Sequence, residues 1–213
     1  MNALLANDYP LPSILESSMP GPHRRRRIDT FCPGESGIVL FNGLLSQLGG
    51  AQAVDCDQLA TAGRKLRGRT TLEVAASIHQ RMRRAAATAR MVRDAGWAAA
   101  NDAADAARLM LDYVRRPDDL IPDRLPGIGR LDDAIVVDLA WPRLSTEVQS
   151  YMDFRRLRRI EAALRNCSAL ATFGFTRADW QEARLAEAAL SAHQRQVREH
   201  SYLPAAAALF RVH

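Results

Sequence analysis

Four aspartates in one short stretch are the residues best placed to do chemistry. Asp119, Asp123, Asp132 and Asp133 stand among prolines and glycines in PDDLIPDRLPGIGRLDDAIVVDLAW, residues 117–141. Carboxylates that converge across a loop offer oxygen ligands to a hard cation such as Mg²⁺ or Ca²⁺. The spacing is not that of an EF-hand loop, and no bidentate Glu closes it. The same residues also make sense as architecture. Pro117 and Pro122 forbid continued helix, Asp119 and Asp123 accept amide hydrogen bonds in turns, and Gly127 and Gly129 allow positive φ. Pro126 extends the loop, and Asp132 or Asp133 then caps the helix that follows. Between these readings lies internal pairing. From Asp102 to Asp138 nine Asp accompany five Arg, a local −4 in a chain of net charge +5. Arg124 or Arg130 is placed to pair with the acids, or the whole segment docks on a basic helix. Architecture ranks first, and internal pairing ranks above metal.

The second constellation is cationic. Of the 29 basic residues only Lys65 is a lysine. Arg24, Arg25, Arg26 and Arg27 form one run, and nine basic residues against two acidic ones fall between Gly63 and Asp94, a local +7. There Arg81, Arg83, Arg84, Arg90 and Arg93 lie opposite an apolar stripe of Val74, Ile78, Met82, Ala85, Ala89 and Val92. Arg24 to Arg27, Arg81 and Arg84 are therefore the candidate contacts for nucleic-acid phosphate or an anionic surface. A genome rich in GC supplies arginine everywhere, so a solvated outer face is the plainer account.

Nothing else assembles a reaction centre. His23, His79, His193, His200 and His213 are scattered, and His193 and His200 are two turns apart, too far for a chelating pair. There is no GxSxG, HExxH, P-loop or GxGxxG. No catalytic residue and no cofactor are expected. Cys32, Cys56 and Cys167 are odd in number and widely spaced, which fits a reducing cytoplasm.

The elements that must position these residues read as helices. Thr70-x-x-Glu73 is a capping box opening a long helix. Gly96 breaks or bends the run, Asn101 reads as the next N-cap, and Pro117 stops that helix. Leu131, Ile135 and Leu139 share a face that ends at Pro142. Another helix runs from about Thr146 to Asn166. Phe175, Thr176, Asp179 and Trp180 form an N-cap with a hydrophobic staple, opening a helix toward His200. The apolar tail from Leu203 to His213 is expected to dock on the body. Ser36 to Val54, uncharged but glycine-rich, reads as a buried helix or hairpin-like segment. No strand alternation and no repeat is present. The expected fold is all-α, a compact bundle of about five to seven helices. Residues 1–34 form a disordered or irregular tail, and 35–213 form a single helical domain.

Pro117, Asp119, Leu120, Ile121, Pro122, Asp123, Pro126, Gly129, Leu131, Asp132 and Asp133 together resemble the signature of the YkvA-like family of bacterial proteins. The resemblance places a YkvA-like core at about 70–142. It implies a small helical domain with no established biochemical activity, often membrane-associated. This chain departs from the family pattern at Arg124 and Arg130, which stand where aromatic and apolar residues are usual. A charge at the centre of a bilayer costs roughly 2.5–3.5 kcal/mol, so no membrane span is expected. Residues 1–15 have no basic start, so no signal peptide is expected either. The resulting expectation is a non-enzymatic cytoplasmic adaptor or regulator acting through an unidentified protein partner. Nucleic-acid or anionic-surface binding through the Arg clusters, and a divalent-metal site on the Asp cluster, are the alternatives.

Overall fold

Local capping chemistry opens three of the helices. The computed structural model describes residues 9–16, 27–28, 31–117, 119–167 and 173–200. Among these lie six α-helices: α1 (Glu35–Gln47), α2 (Cys56–Arg67), α3 (Thr71–Arg93), α4 (Asn101–Val114), α5 (Leu131–Leu164) and α6 (Arg177–His200). No strand occurs among the described residues beyond an isolated bridge between Ile28 and Phe31. The all-α expectation holds. No described helix is long and apolar enough to cross a membrane.

The capping box at α3 forms as read: Thr70 Oγ1 accepts from Glu73 N at 3.3 Å, and Glu73 Oε2 accepts from Thr70 N at 3.0 Å. The same reciprocal pair opens α6, where Asp179 Oδ2 accepts from Thr176 N at 2.7 Å. Helix α2, which the sequence reading missed, has an equivalent box from Asp55 and Gln58.

Other boundaries depart from expectation. Asn101 does not cap α4; the cap residue is Ala100, without a side-chain bond. Its amide instead donates to Glu147 Oε1 at 3.1 Å, an oxygen that also takes Trp97 Nε1 at 3.0 Å. A carboxylate from α5 thus does the work of a local cap. Pro142 does not end its helix either; α5 runs through it for 34 residues. Proline removes one helical hydrogen bond, but Val136, Val137 and Ala140 before it and Leu144 and Val148 after it are all buried. Packing on both sides outweighs the local loss.

The chain falls into two compact units, Met1–Met152 and Asp153–His213, a division the sequence reading does not draw. In the first, α3 packs on α4 and α2 packs on α3. Phe41, Leu59, Leu66, Met91, Trp97 and Met110 are among its fully buried side chains. The described part of the expected tail is anchored, not free. Residues 13–16 form a short 3-10 turn on α2, and Ile28 is buried. Helix α1 is only partly buried: Val39 and Leu40 are 70% and 77% exposed, against the expectation of a buried segment. In the second unit Phe175 stacks on Phe154 at 5.6 Å. Trp180 Nε1 donates to Asp153 Oδ2 at 2.8 Å. Residues 203–213, expected to dock, lie outside the described residues.

Candidate functional site: a buried carboxyl cluster

The elbow between α4 and α5 is tightly turned. Asp123 N donates to Pro117 O, Leu125 N to Pro122 O and Gly129 N to Leu125 O. Gly127 takes positive φ, as expected. Gly129 does not, and it is required for a different reason. A Cβ there would fall 2.2 Å from the Asp123 carbonyl oxygen, so any side chain would force the loop apart. The residue that turns left-handed beside it is Arg130, at φ 68.

This turn sends the aspartates inward. Asp132 and Asp133 are 0% exposed. Asp132 does not cap its own helix; its Oδ2 reaches back across the elbow to accept from Tyr113 Oη at 2.8 Å and Ile121 N at 2.9 Å. Asp133 does not cap it either, and both its oxygens lack a hydrogen-bond partner. Asp119 lies beside Asp132 and lines a cleft of about 470 Å³ with Tyr113, Leu40 and Phe41. Asp123 turns to Arg130, Oδ2 to Nη2 at 2.9 Å. The expected pairing with Arg130 is therefore present.

Burial is the first cause that shifts these acids. It raises Asp133 to about 8, with the charges of Asp132, Asp119 and Asp123 adding to it and Arg130 opposing. It raises Asp119 to about 8, helped by the adjoining Asp132. Asp132 is raised too, although its bonds from Tyr113 and Ile121 pull the other way. The Tyr113 hydroxyl is pushed up by burial and then by Asp132, so it stays a donor. Like carboxyls crowded in a low-dielectric site retain protons. Burial and mutual crowding thus raise Asp119, Asp132 and Asp133 above the ordinary carboxylate range, while Asp123 is turned to Arg130. No three acidic, histidine or cysteine side chains among the described residues are placed to hold a metal ion together.

The cationic candidates resolve differently. Arg81 and Arg84 are 0% and 3% exposed, which removes them from any phosphate-binding face. Both reach Asp138 on α5. Arg81 grips it through Nε and Nη2, the latter at 2.7 Å, and Arg84 Nη1 adds a bond at 3.1 Å. Arg81 Nη1 also donates to the Tyr9 and Ser77 carbonyls, and the Arg84 guanidinium lies 4.8 Å above the Trp141 ring. Helical spacing placed these arginines outside because it counts α3's charged positions as one face. The aspartate that covers them comes from the acidic segment, so the expected docking of that segment on the basic helix is realised here. Arg24, Arg25 and Arg26 lie outside the described residues, and Arg27 offers its carbonyl to Arg64 at 2.9 Å.

Compared with known proteins, the chain matches no family model, no curated protein and no solved structure.

Proposed function

We propose that the chain is a non-enzymatic interaction protein, an adaptor or regulator, and that α6 is the surface it offers to a protein partner. One observation carries this reading. None of the 24 residues of α6 is buried, and Leu185, Leu190 and Val197 are 72%, 58% and 53% exposed. Within its own unit the helix is held by Trp180 and Arg184, four residues apart, both bonded to Asp153. Leu190 and Val197, seven apart, lie on another face with Ala183 and Ala186. A helix whose apolar stripe faces water gains little from tertiary packing, and such stripes are read by grooves or by partner helices.

The test is affinity capture from cell extract with the intact chain and with a Leu190→Ser, Val197→Ser variant of unchanged helicity. A partner retained by the first and lost by the second is expected. Equal capture by both, or capture by neither, ends this reading.

A further inference from the structure

On the other side of the elbow, the C-terminal end of α2, the apolar face of α3 and residues 123–130 line a second cavity, of about 680 Å³. That volume is in the range of small-molecule sites, roughly 300–1,000 Å³. Its floor is aliphatic. Val74 and Ile78 come from α3, with Met82 one turn on and Leu125 from the elbow. Its rim is basic, formed by Arg67, Arg69 and Arg130. Among the described residues of the lining Asp123 is the only carboxylate, against three arginines.

The rim arginines are already oriented. Arg69 Nη1 donates to the Pro10 carbonyl at 3.0 Å, and Arg130 is held by Asp123 through Nε and Nη2. A guanidinium has five N–H donors, so both retain donors for a ligand while their positions are set. Preorganisation of this kind lowers the entropy cost of binding. Among the described residues the lining has no Phe, Tyr or Trp, and these offer no stacking platform for a nucleobase. An aliphatic floor with a flexible thioether suits an alkyl chain instead.

We infer that this cavity is a binding site for a single-chain amphipathic anion. The ligand class is a carboxylate or phosphate monoester on an alkyl tail of medium length, head group on Arg69 and Arg130 and tail over Ile78 and Met82. The site is built from the first unit alone, and the inference does not depend on the role proposed for α6.

Calorimetric titration of the full chain tests it, with dodecanoate and dodecyl phosphate below their aggregation concentrations. Dodecanol and dodecyltrimethylammonium serve as the neutral and cationic controls. Both anions are expected to bind one to one, at least tenfold more tightly than either control, and more weakly as salt rises. Arg69→Ala and Ile78→Trp, the first removing charge and the second filling the floor, should each weaken the anions at least tenfold while circular dichroism and Tm stay near wild type. If Ile78→Trp disturbs the fold, Met82→Trp replaces it. No binding, equal binding of the controls, or anion binding unchanged in Arg69→Ala overturns the inference. A parallel arm uses phosphatidylglycerol vesicles. Capture on vesicles by a chain that ignores the free anions also overturns it, because the surface would then be reading a membrane and the cavity nothing.

Discussion

Two charged clusters are buried within the first unit, and they solve the same problem in opposite ways. Around Asp138, one carboxylate is shared by the guanidiniums of Arg81 and Arg84, and Arg81 is completely inaccessible. Desolvation, with the neighbouring Arg81, lowers the pKa of Arg84, while Asp138 holds it up. Around Asp133, carboxyls gather with a lone guanidinium, Arg130, at the margin. The first cluster keeps its charges because each has an opposite partner at hydrogen-bond distance. In the second, burial without enough counter-charge raises the pKa of Asp119, Asp132 and Asp133 instead. Burial alone therefore does not say whether a group stays ionised; the nearest counter-charge does.

The largest effect should come from breaking the paired cluster. Asp138→Ala leaves two buried guanidiniums without their carboxylate, which costs about 3–5 kcal/mol, read from urea unfolding. A loss under about 1 kcal/mol would show that water or another acid compensates the arginines, and the contrast would collapse.

Asp133→Asn should act in the opposite direction. With its folded pKa near 8 and an ordinary value of 3.8, Asp133 binds a proton more tightly folded than unfolded. Its contribution to stability is fully present below about pH 4 and is lost as pH rises to about 8. The slope is at most about 1.4 kcal/mol per pH unit. The asparagine variant lacks that slope, so its advantage over wild type should grow from pH 4 to pH 8. Equal slopes for the two proteins would mean Asp133 has found a partner and ionises normally.

Tyr113→Phe removes one of the two donors that Asp132 Oδ2 receives. Such a loss at a buried acceptor costs about 1–3 kcal/mol, seen as a lower Tm at pH 6. The smallest effect is expected from Arg130→Gln, since its side chain is 46% exposed and such pairs contribute about 0–1 kcal/mol. That variant sharpens the comparison in another way. It withdraws a positive charge that opposes the rise in Asp133, so the pH at which stability stops falling should move upward.

What could be read before any coordinates was short-range. The Thr70–Glu73 and Thr176–Asp179 boxes need only residues three apart, and both formed. The break near Gly96 separated α3 from α4 as expected. Asp55 and Gln58 offer the same signal for α2, with Leu59, Ala62 and Leu66 at helical spacing behind them. Where the reading failed, a distant group had replaced a local one. Glu147, 47 residues from Ala100, takes the amide of that residue, which stands at the cap where Asn101 was expected. Burial on either side of Pro142 carried a helix through a residue that by itself stops one.

The elbow shows both limits together. Its prolines, its glycines and its acids were enough to say that the backbone turns there, because φ restriction and close approach are properties of single residues. Whether those acids would face water, a cation or each other depended on which groups folding brought beside them. The sequence by itself determined where helices begin and where the chain must bend. The tertiary structure decided which charges survive, because solvation and pairing energies depend on distance in space, and Asp138 lies 57 residues from Arg81 along the chain yet 2.7 Å from it in the fold.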